Sequence, residues 1–162
     1  MTRIVQEPDE ILRKTAASIP VETINSTSIQ GIIDEMKLTL AGESDGVAIA
    51  APQIGISLRL FIVSKKASRK FADDIVFINP EIIRMGKQKA ELSEGCLSVR
   101  WKYGLVKRAT TATVRAYNAN GHEFVMSGRG LLAEIFQHEI DHLDGILFID
   151  KATHIEDLPP TS

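Results

Sequence analysis

The strongest structural constraint in this sequence is the stretch from Phe136 to Gly145, which contains the pattern H-E-x-x-H. Residues four apart on an α-helix lie about 40° from each other around the axis, so a helix here places His138 and His142 on one face. Two such imidazoles can hold one metal ion, and Glu139 can then act on a water molecule beside it. The stretch therefore predicts a helix carrying part of a hydrolytic metal site, although two histidines at this spacing also arise by chance.

The length and composition of the chain are those of an ordinary globular protein. Its 162 residues can bury about two-thirds of the unfolded surface, so we expect a single domain over residues 1–162 that folds without needing a metal. A net charge of −2 indicates no preference for nucleic acid or an anionic membrane. With one cysteine, no signal-peptide pattern and no run of roughly 20 apolar residues, we predict a cytoplasmic protein with no membrane or direct nucleic-acid partner.

Two helices are predicted from apolar periodicity. Residues 27–40 have apolar side chains at helical spacing, with a serine or threonine at 26–28 as the N-cap and Gly42 just beyond the end. The run from Leu131 through the H-E-x-x-H pattern is strongly apolar and stops at Gly145, so we expect a helix buried on most sides. After a short packed segment at 146–149, the tail is expected to be ordered only where its few apolar residues dock.

The remaining chain predicts β-structure. We expect neighbouring strands at 58–63 and 75–78, a further strand at 81–85 after Asn79-Pro80, a loop at 100–104, a strand at 106–117, a turn at 118–121 and a returning strand at 122–128. The predicted fold class is α+β, with small antiparallel or mixed sheets around a central C-terminal helix and one N-terminal amphipathic helix.

A third metal ligand is needed, because hydrolytic sites typically combine three protein ligands with an open position. One extended motif places a third histidine three residues after Gly145, but Phe148 stands there. Glu156 would have to act from a tail with little scaffold. Cys96, the only cysteine, follows Gly95 at a predicted strand end and is the better candidate. A Cys-His-His set suits Fe²⁺, Zn²⁺, Ni²⁺ or Co²⁺ without choosing among them.

With Cys96 included, three segments resemble, in the right order, the motifs of the peptide deformylases, which remove formyl from the N-terminal methionine of new polypeptides. The segments are Gly46-Val47-Ala48-Ile49-Ala50-Ala51-Pro52-Gln53, Glu94-Gly95-Cys96-Leu97-Ser98 and Gln137 to His142. The resemblance implies that Cys96, His138 and His142 hold a metal, commonly Fe²⁺, and that Glu139 is the general base. It further implies that the Gln53 amide and the Leu97 N–H form an oxyanion hole, and that the partners are N-formylmethionyl peptides, as nascent chains at the ribosome.

The same resemblance implies a substrate-binding region with an apolar pocket for methionine. Its candidate residues are Gly46, Val47, Ala48, Leu132 and Ile135. Two departures from the family pattern bear on this region. Ala48 replaces a glycine where substrate approaches closely, and Arg100-Trp101 follow the cysteine motif where a proline and a small or acidic residue are usual. We therefore expect an active monomeric enzyme whose substrate preference the sequence does not fix, since these departures can shift the substrate pose or reshape the pocket.

Two alternatives remain open on the residues. A zinc peptidase cleaving internal bonds would rest on H-E-x-x-H alone and would need Glu156 in place of Cys96. A non-catalytic relative that binds metal or formyl-peptide would be favoured by Ala48 and Arg100-Trp101.

Overall fold

A computed structural model describes residues 2–161, and within this range the fold has the predicted α+β architecture. The helices are α1, Thr27–Ala41, and α2, Leu131–Leu143. The strands are β1 Ala48–Ala50, β2 Leu60–Val63, β3 Ile75–Met85, β4 Lys89–Cys96, β5 Val99–Ala109, β6 Thr111–Tyr117, β7 Glu123–Arg129 and β8 Thr153–Asp157. They form one antiparallel sheet in the order β1-β2-β3-β6-β7 and another in the order β4-β5-β8.

Helix α1 follows its sequence signals closely. Ser26 is the N-cap, and its side chain accepts a hydrogen bond from the Ile29 N–H at 3.3 Å. Gly42 ends the helix. The apolar face that the periodicity predicted is buried against the rest of the core through Ile33, Met36 and Leu40.

Helix α2 lies between the two sheets and is buried along most of its length, as predicted. Phe136 packs edge-on against Phe77 of the five-stranded sheet, with ring centroids 5.4 Å apart. On the other side, the Gln137 amide donates to the Ala109 carbonyl at 2.9 Å and accepts from the Ala109 N–H at 3.0 Å. This pair of hydrogen bonds attaches the middle of α2 to the end of β5, and so joins the helix to the second sheet.

The prediction that Asn79-Pro80 separates two strands is wrong. Strand β3 continues through these residues to Met85, with a bulge in its pairing to β6 between Ile78 and Glu81. Asn79 has a positive φ of 50°, and its side chain exchanges hydrogen bonds of 2.8 and 2.7 Å with the Ile19 backbone. Proline is tolerated because a bulge releases one residue from the hydrogen-bond ladder.

Two predictions for the second sheet are also wrong. Residues 100–104 are not a loop but part of β5, where Gly104 pairs with Glu94 of β4, and Lys102 and Tyr103 pair with β8. Residues 106–117 are not one strand, because the chain leaves β5 at Ala109 and enters the other sheet as β6 at Thr111. Strand β8 itself is exposed and adds to the sheet through backbone pairing, which its side-chain pattern does not signal.

The N-terminal segment runs across both motif-bearing loops. The Val5 N–H donates to the Gln53 carbonyl and the Glu7 N–H to the Ser98 carbonyl, each at 2.8 Å. The Ala16 N–H donates to the carbonyl of Leu143, at the end of α2. These bonds hold the segments that contribute to the site against one another. Of the helices that the structure describes, none has the length and hydrophobicity to cross a membrane.

Candidate active site

Cys96 is positioned by the tight turn between β4 and β5. It pairs directly with Val99, so Leu97 and Ser98 alone form the turn, and the Ser98 N–H lies 3.5 Å from the Cys96 sulfur. The preceding residue must be small, since a Cβ at Gly95 would lie 2.7 Å from the ring of Tyr103. The turn therefore aims the thiol back toward α2.

The two histidines of α2 meet this thiol. The Cys96 Sγ lies 3.2 Å from Nε2 of His142, and the ligand atoms of Cys96, His138 and His142 all lie within 4.8 Å of one another. His138 uses its Nδ1 to contact the Glu94 carboxylate, so Nε2 is the ring nitrogen that remains for a metal ion. Glu156, the ligand that the peptidase alternative requires, is not in this cluster and lies exposed on β8.

A buried network of charges surrounds the histidines. Arg108, only 3% exposed, donates to both carboxylate oxygens of Glu94 and, at 2.7 Å, to Asp141 of α2. Burial raises the pKa of Glu94, but its hydrogen bonds to His138 and Arg108 outweigh this and bring the pKa to about 2. Glu94 is therefore ionised and able to hold the His138 ring in one orientation. Sequence reasoning missed Arg108, because nothing local distinguishes it from an exposed strand arginine.

Glu139 has a different environment. It is 3% exposed, and its Oε1 has no hydrogen-bond partner among the described residues. Burial raises the pKa of this carboxyl to about 7, although the nearby His138 opposes the shift. A buried carboxylate oxygen without a partner costs about 1–3 kcal/mol or more. The atom is therefore available to a group that enters the site.

Two hydrogen-bond donors lie beside the cysteine. The side-chain oxygen of Gln53 accepts from the Ala50 N–H at 2.9 Å, which fixes its Nε2 near the Ser98 hydroxyl at 3.1 Å and the Cys96 sulfur at 3.6 Å. No hydrogen bond within residues 2–161 uses the Leu97 N–H, whereas its carbonyl accepts from Gln6 at 2.8 Å. Both donors thus border the same cavity.

This cavity has a volume of about 420 Å³, and Cys96, His138 and Glu139 line it. Of the predicted substrate-binding residues, Gly46, Val47, Ala48 and Ile135 line it, as do Arg100 and Trp101. Arg100 forms an ion pair with Glu43 at 3.2 Å and stacks over the Trp101 ring. The two residues that depart from the family motif therefore form part of the cavity wall. Gly46 is closely packed, because a Cβ there would meet Leu97 at 3.2 Å.

The prediction of Leu132 as a pocket residue is not supported. Leu132 packs over Gly128 of β7 and lines a different cavity, whereas Leu131 lines the active-site cavity. The helical spacing explains the difference, since Leu131 lies one turn before Ile135 and shares its face. That spacing was the signal available in the sequence.

A metal ion fits this donor set. One thiolate and two imidazole nitrogens are ligands for Fe²⁺, Zn²⁺, Ni²⁺ and Co²⁺, and three protein ligands leave a position open for water or substrate. The 3.2 Å between sulfur and nitrogen suits two ligands of one ion. Apart from Glu139 Oε1, the only buried side-chain polar atom without a partner in residues 2–161 is Nδ1 of His142, so both such atoms lie in this site.

An H-E-x-x-H helix with a cysteine from a separate strand beside its two histidines is typical of a metal-dependent hydrolase. The chain matches the family model described as polypeptide deformylase over residues 1–157. It belongs to the polypeptide deformylase family. It is 43% identical to a peptide deformylase of Desulforudis audaxviator, over 94% of each chain.

Solved structures of peptide deformylases share the fold of this chain. A peptide deformylase from Legionella pneumophila is 42% identical, with a TM-score of 0.86 over 95% of this chain and 87% of that one. A Met-Ala-Ser-bound class I type b peptide deformylase from Acinetobacter baumannii is 33% identical, with a TM-score of 0.86 over 93% of this chain and 98% of that one. The predicted family, fold class and enzymatic activity, hydrolysis of the N-formyl group of new polypeptides, are therefore confirmed. The family is metal-dependent, in keeping with the Cys-His-His cluster.

Proposed function

We propose that Cys96, His138 and His142 hold a single divalent ion, with Fe²⁺ as the physiological metal, in a deformylase that acts on formylmethionyl nascent chains. The observation that carries the proposal is the convergence of three ligand atoms within 4.8 Å, from a strand turn and a helix far apart in sequence. The bound ion supplies the Lewis acidity that activates water for attack on the formyl carbon.

Glu139 is the general base of this proposal. Its unpartnered Oε1 accepts the proton of the attacking water, and the same carboxyl then delivers the proton to the departing amine. A pKa of about 7, raised by burial, suits a group that must take up and release a proton near neutral pH. The products are formate and a peptide with a free N-terminal methionine.

Gln53 and Leu97 stabilise the negative charge that develops on the formyl oxygen. The Gln53 Nε2 is fixed by the bond between its side-chain oxygen and the Ala50 N–H, so this donor needs no reorientation. The Leu97 N–H lies in the rigid turn after Cys96. Donors of this kind typically contribute about 3–4 kcal/mol each to the transition state.

The remaining parts of the proposal concern substrate and setting. Val47, Ala48 and Ile135, with Leu131 in place of Leu132, form the apolar wall for the methionine side chain. We further infer a monomer that works in the cytoplasm on chains emerging from the ribosome. A reducing compartment keeps Cys96 available as a thiolate ligand, which supports this location.

Formate release from formyl-Met-Ala-Ser tests these roles. Protein purified and loaded anaerobically with Fe²⁺ is expected to release formate, and Glu139→Gln to lose about 10²–10⁴-fold in kcat while retaining its metal. Metal analysis of anaerobically purified protein identifies the physiological ion. Loaded protein that releases no formate, or a Glu139→Gln variant with full activity, would reject the assigned roles.

A further inference from the structure

A second cavity lies at the start of α2 and carries an unusual concentration of positive charge. Its volume is about 660 Å³, and its floor is formed by Phe71, Met126 and Leu132. Lys70, Arg84 and Arg129 stand exposed around it. We call the site formed by these six residues the basic groove.

The three cations of the basic groove are not neutralised. No aspartate or glutamate lines this cavity, and none of the ion pairs found in the described part of the chain includes Lys70, Arg84 or Arg129. The whole chain has a net charge of −2, so the groove has the opposite sign from the protein. Clustered, unpaired cations raise the local concentration of an anionic ligand.

The basic groove adjoins the active-site cavity. Leu131 lines both cavities and is 48% exposed, so it forms the surface between them. Helix α2 begins at this residue with Gly130 as its N-cap and no side-chain capping bond, which leaves its positive end open at the same place. A chain that leaves the active-site cavity over Leu131 therefore enters the groove.

Resting on the deformylase function above, we propose that the basic groove binds the part of the polypeptide substrate that follows the residues held in the active-site cavity, and favours acidic side chains there. An extended chain advances about 3.3 Å per residue, so a substrate longer than a tripeptide must continue outside the first cavity. The apolar floor accommodates aliphatic side chains, and the cations pair with carboxylates.

The floor distinguishes a peptide from the other common polyanion, a nucleic acid. Phosphate backbones are bound by cations and polar groups with no need for an apolar floor at the contact. Phe71, Met126 and Leu132 also pack against the hydrophobic core, so the floor is rigid and preformed. The position of the groove next to the active-site cavity, with Leu131 lining both, favours the polypeptide substrate.

The test compares kcat/KM for formyl-Met-Ala-Ser with that for two longer substrates, formyl-Met-Ala-Ser-Ala-Glu-Glu-Glu-Ala and its counterpart with three lysines. The glutamate peptide is expected to exceed the lysine peptide about fivefold at low ionic strength, the size of effect that two or three exposed ion pairs provide. In 0.5 M NaCl the difference should largely disappear, because the Debye length is then only about 4 Å.

Charge reversal provides the matched comparison. In Arg84→Glu/Arg129→Glu the preference should invert, while kcat/KM for the tripeptide stays within about twofold of the original. The control, Lys14→Glu/Lys107→Glu, changes the net charge equally at exposed lysines outside the groove and should keep the preference for glutamate. Equal kcat/KM for the two longer peptides, or inversion by the control variant as well, would overturn the inference.

A binding measurement separates this inference from the proposed function. Fluorescence anisotropy of the labelled, unformylated glutamate peptide requires no turnover, and its affinity should fall about fivefold in the groove variant but not in the control. Failure to hydrolyse even the tripeptide would count against the proposed function, and the anisotropy result would still decide this inference. An RNA oligonucleotide that binds the groove while the glutamate peptide does not would overturn the assignment to substrate.

Discussion

Two buried glutamates in the active site have pKa values on opposite sides of the ordinary value. Both are buried, but Glu94 accepts hydrogen bonds from Arg108 and contacts His138, whereas the Oε1 of Glu139 has no partner. The pKa of Glu94 is accordingly about 2 and that of Glu139 about 7. One carboxylate is suited to orient a histidine permanently, and the other to exchange a proton.

Cys96 is the proposed metal ligand that lies outside α2. Cys96→Ala removes one of three ligands, so metal affinity should fall by more than the roughly 10–100-fold that loss of an outer hydrogen-bond partner typically costs. Glu156→Ala is the matched control, since this residue is exposed on β8. The metal content of each variant after dialysis against a weak chelator measures how well it retains the ion. Retention of metal by the cysteine variant together with loss by the glutamate variant would restore the peptidase alternative.

Among the elements, helix α2 depends on how it ends. Gly145 follows it with a φ of +76°, and a Cβ there would collide with the Arg13 carbonyl. Gly145→Ala should therefore destabilise the protein by at least about 1–2 kcal/mol, the cost of a left-handed conformation for a residue with a side chain. Urea unfolding of metal-free protein measures the change in the free energy of unfolding.

Helix α1 supplies the control for this substitution. Gly31 lies within α1, is exposed, and has open space where a Cβ would be. Gly31→Ala should stabilise the protein by about 0.5–1 kcal/mol, because alanine is the better helix former. Equal effects of the two substitutions would contradict the structural account of Gly145.

Elements stabilised by local signals were predictable from sequence, and those stabilised by distant pairing were not. The cap at Ser26, the turn at 118–121 and the apolar run into α2 are local, and each element lies where it was predicted. Strand β5 was partly missed because Lys102 and Tyr103 pair with Asp157 and Glu156 of β8, which is distant in sequence. Likewise, the continuation of β3 depends on Asn79 bonding to Ile19.

The same distinction applies to the site. The residues carried by motifs, Cys96, His138, Glu139 and Gln53, all line one cavity. Arg108 and Leu131 belong to no motif. The role of Arg108 depends on burial between a strand and a helix, and that of Leu131 on which face of α2 meets the cavity.

For the whole molecule, an ion pair joins the N-terminal segment to the C-terminal part of the chain. Arg13 donates two hydrogen bonds to Asp150, and this contact lowers the pKa of the Asp150 carboxyl from its ordinary value of 3.8. A carboxyl with a lowered pKa stabilises the fold fully above its unfolded-state pKa and loses that contribution as pH falls through the folded-state pKa. The ion pair should therefore add to the free energy of unfolding at neutral pH and cease to do so in acid.

Asp150→Asn tests this expectation. At pH 7 the metal-free variant should be less stable by about 0.5–1 kcal/mol, the usual value for a partly exposed pair, and the deficit should vanish well below pH 4. Arg13→Gln should show the same pH dependence, and the double variant should be no worse than either single one. A deficit that persists unchanged in acid would mean that the charge interaction is not responsible.

The position of the three proposed metal ligands on two separate parts of the fold has a thermodynamic consequence. Cys96 belongs to the three-stranded sheet and both histidines to α2, so an ion bound by all three binds only when sheet and helix are in their native arrangement. A metal ion present at 100 times its dissociation constant then adds about 2.7 kcal/mol to the free energy of unfolding. With the ion held by these three residues as proposed, the melting temperature should report metal occupancy, and a chelator should destabilise the fold as it removes the ion.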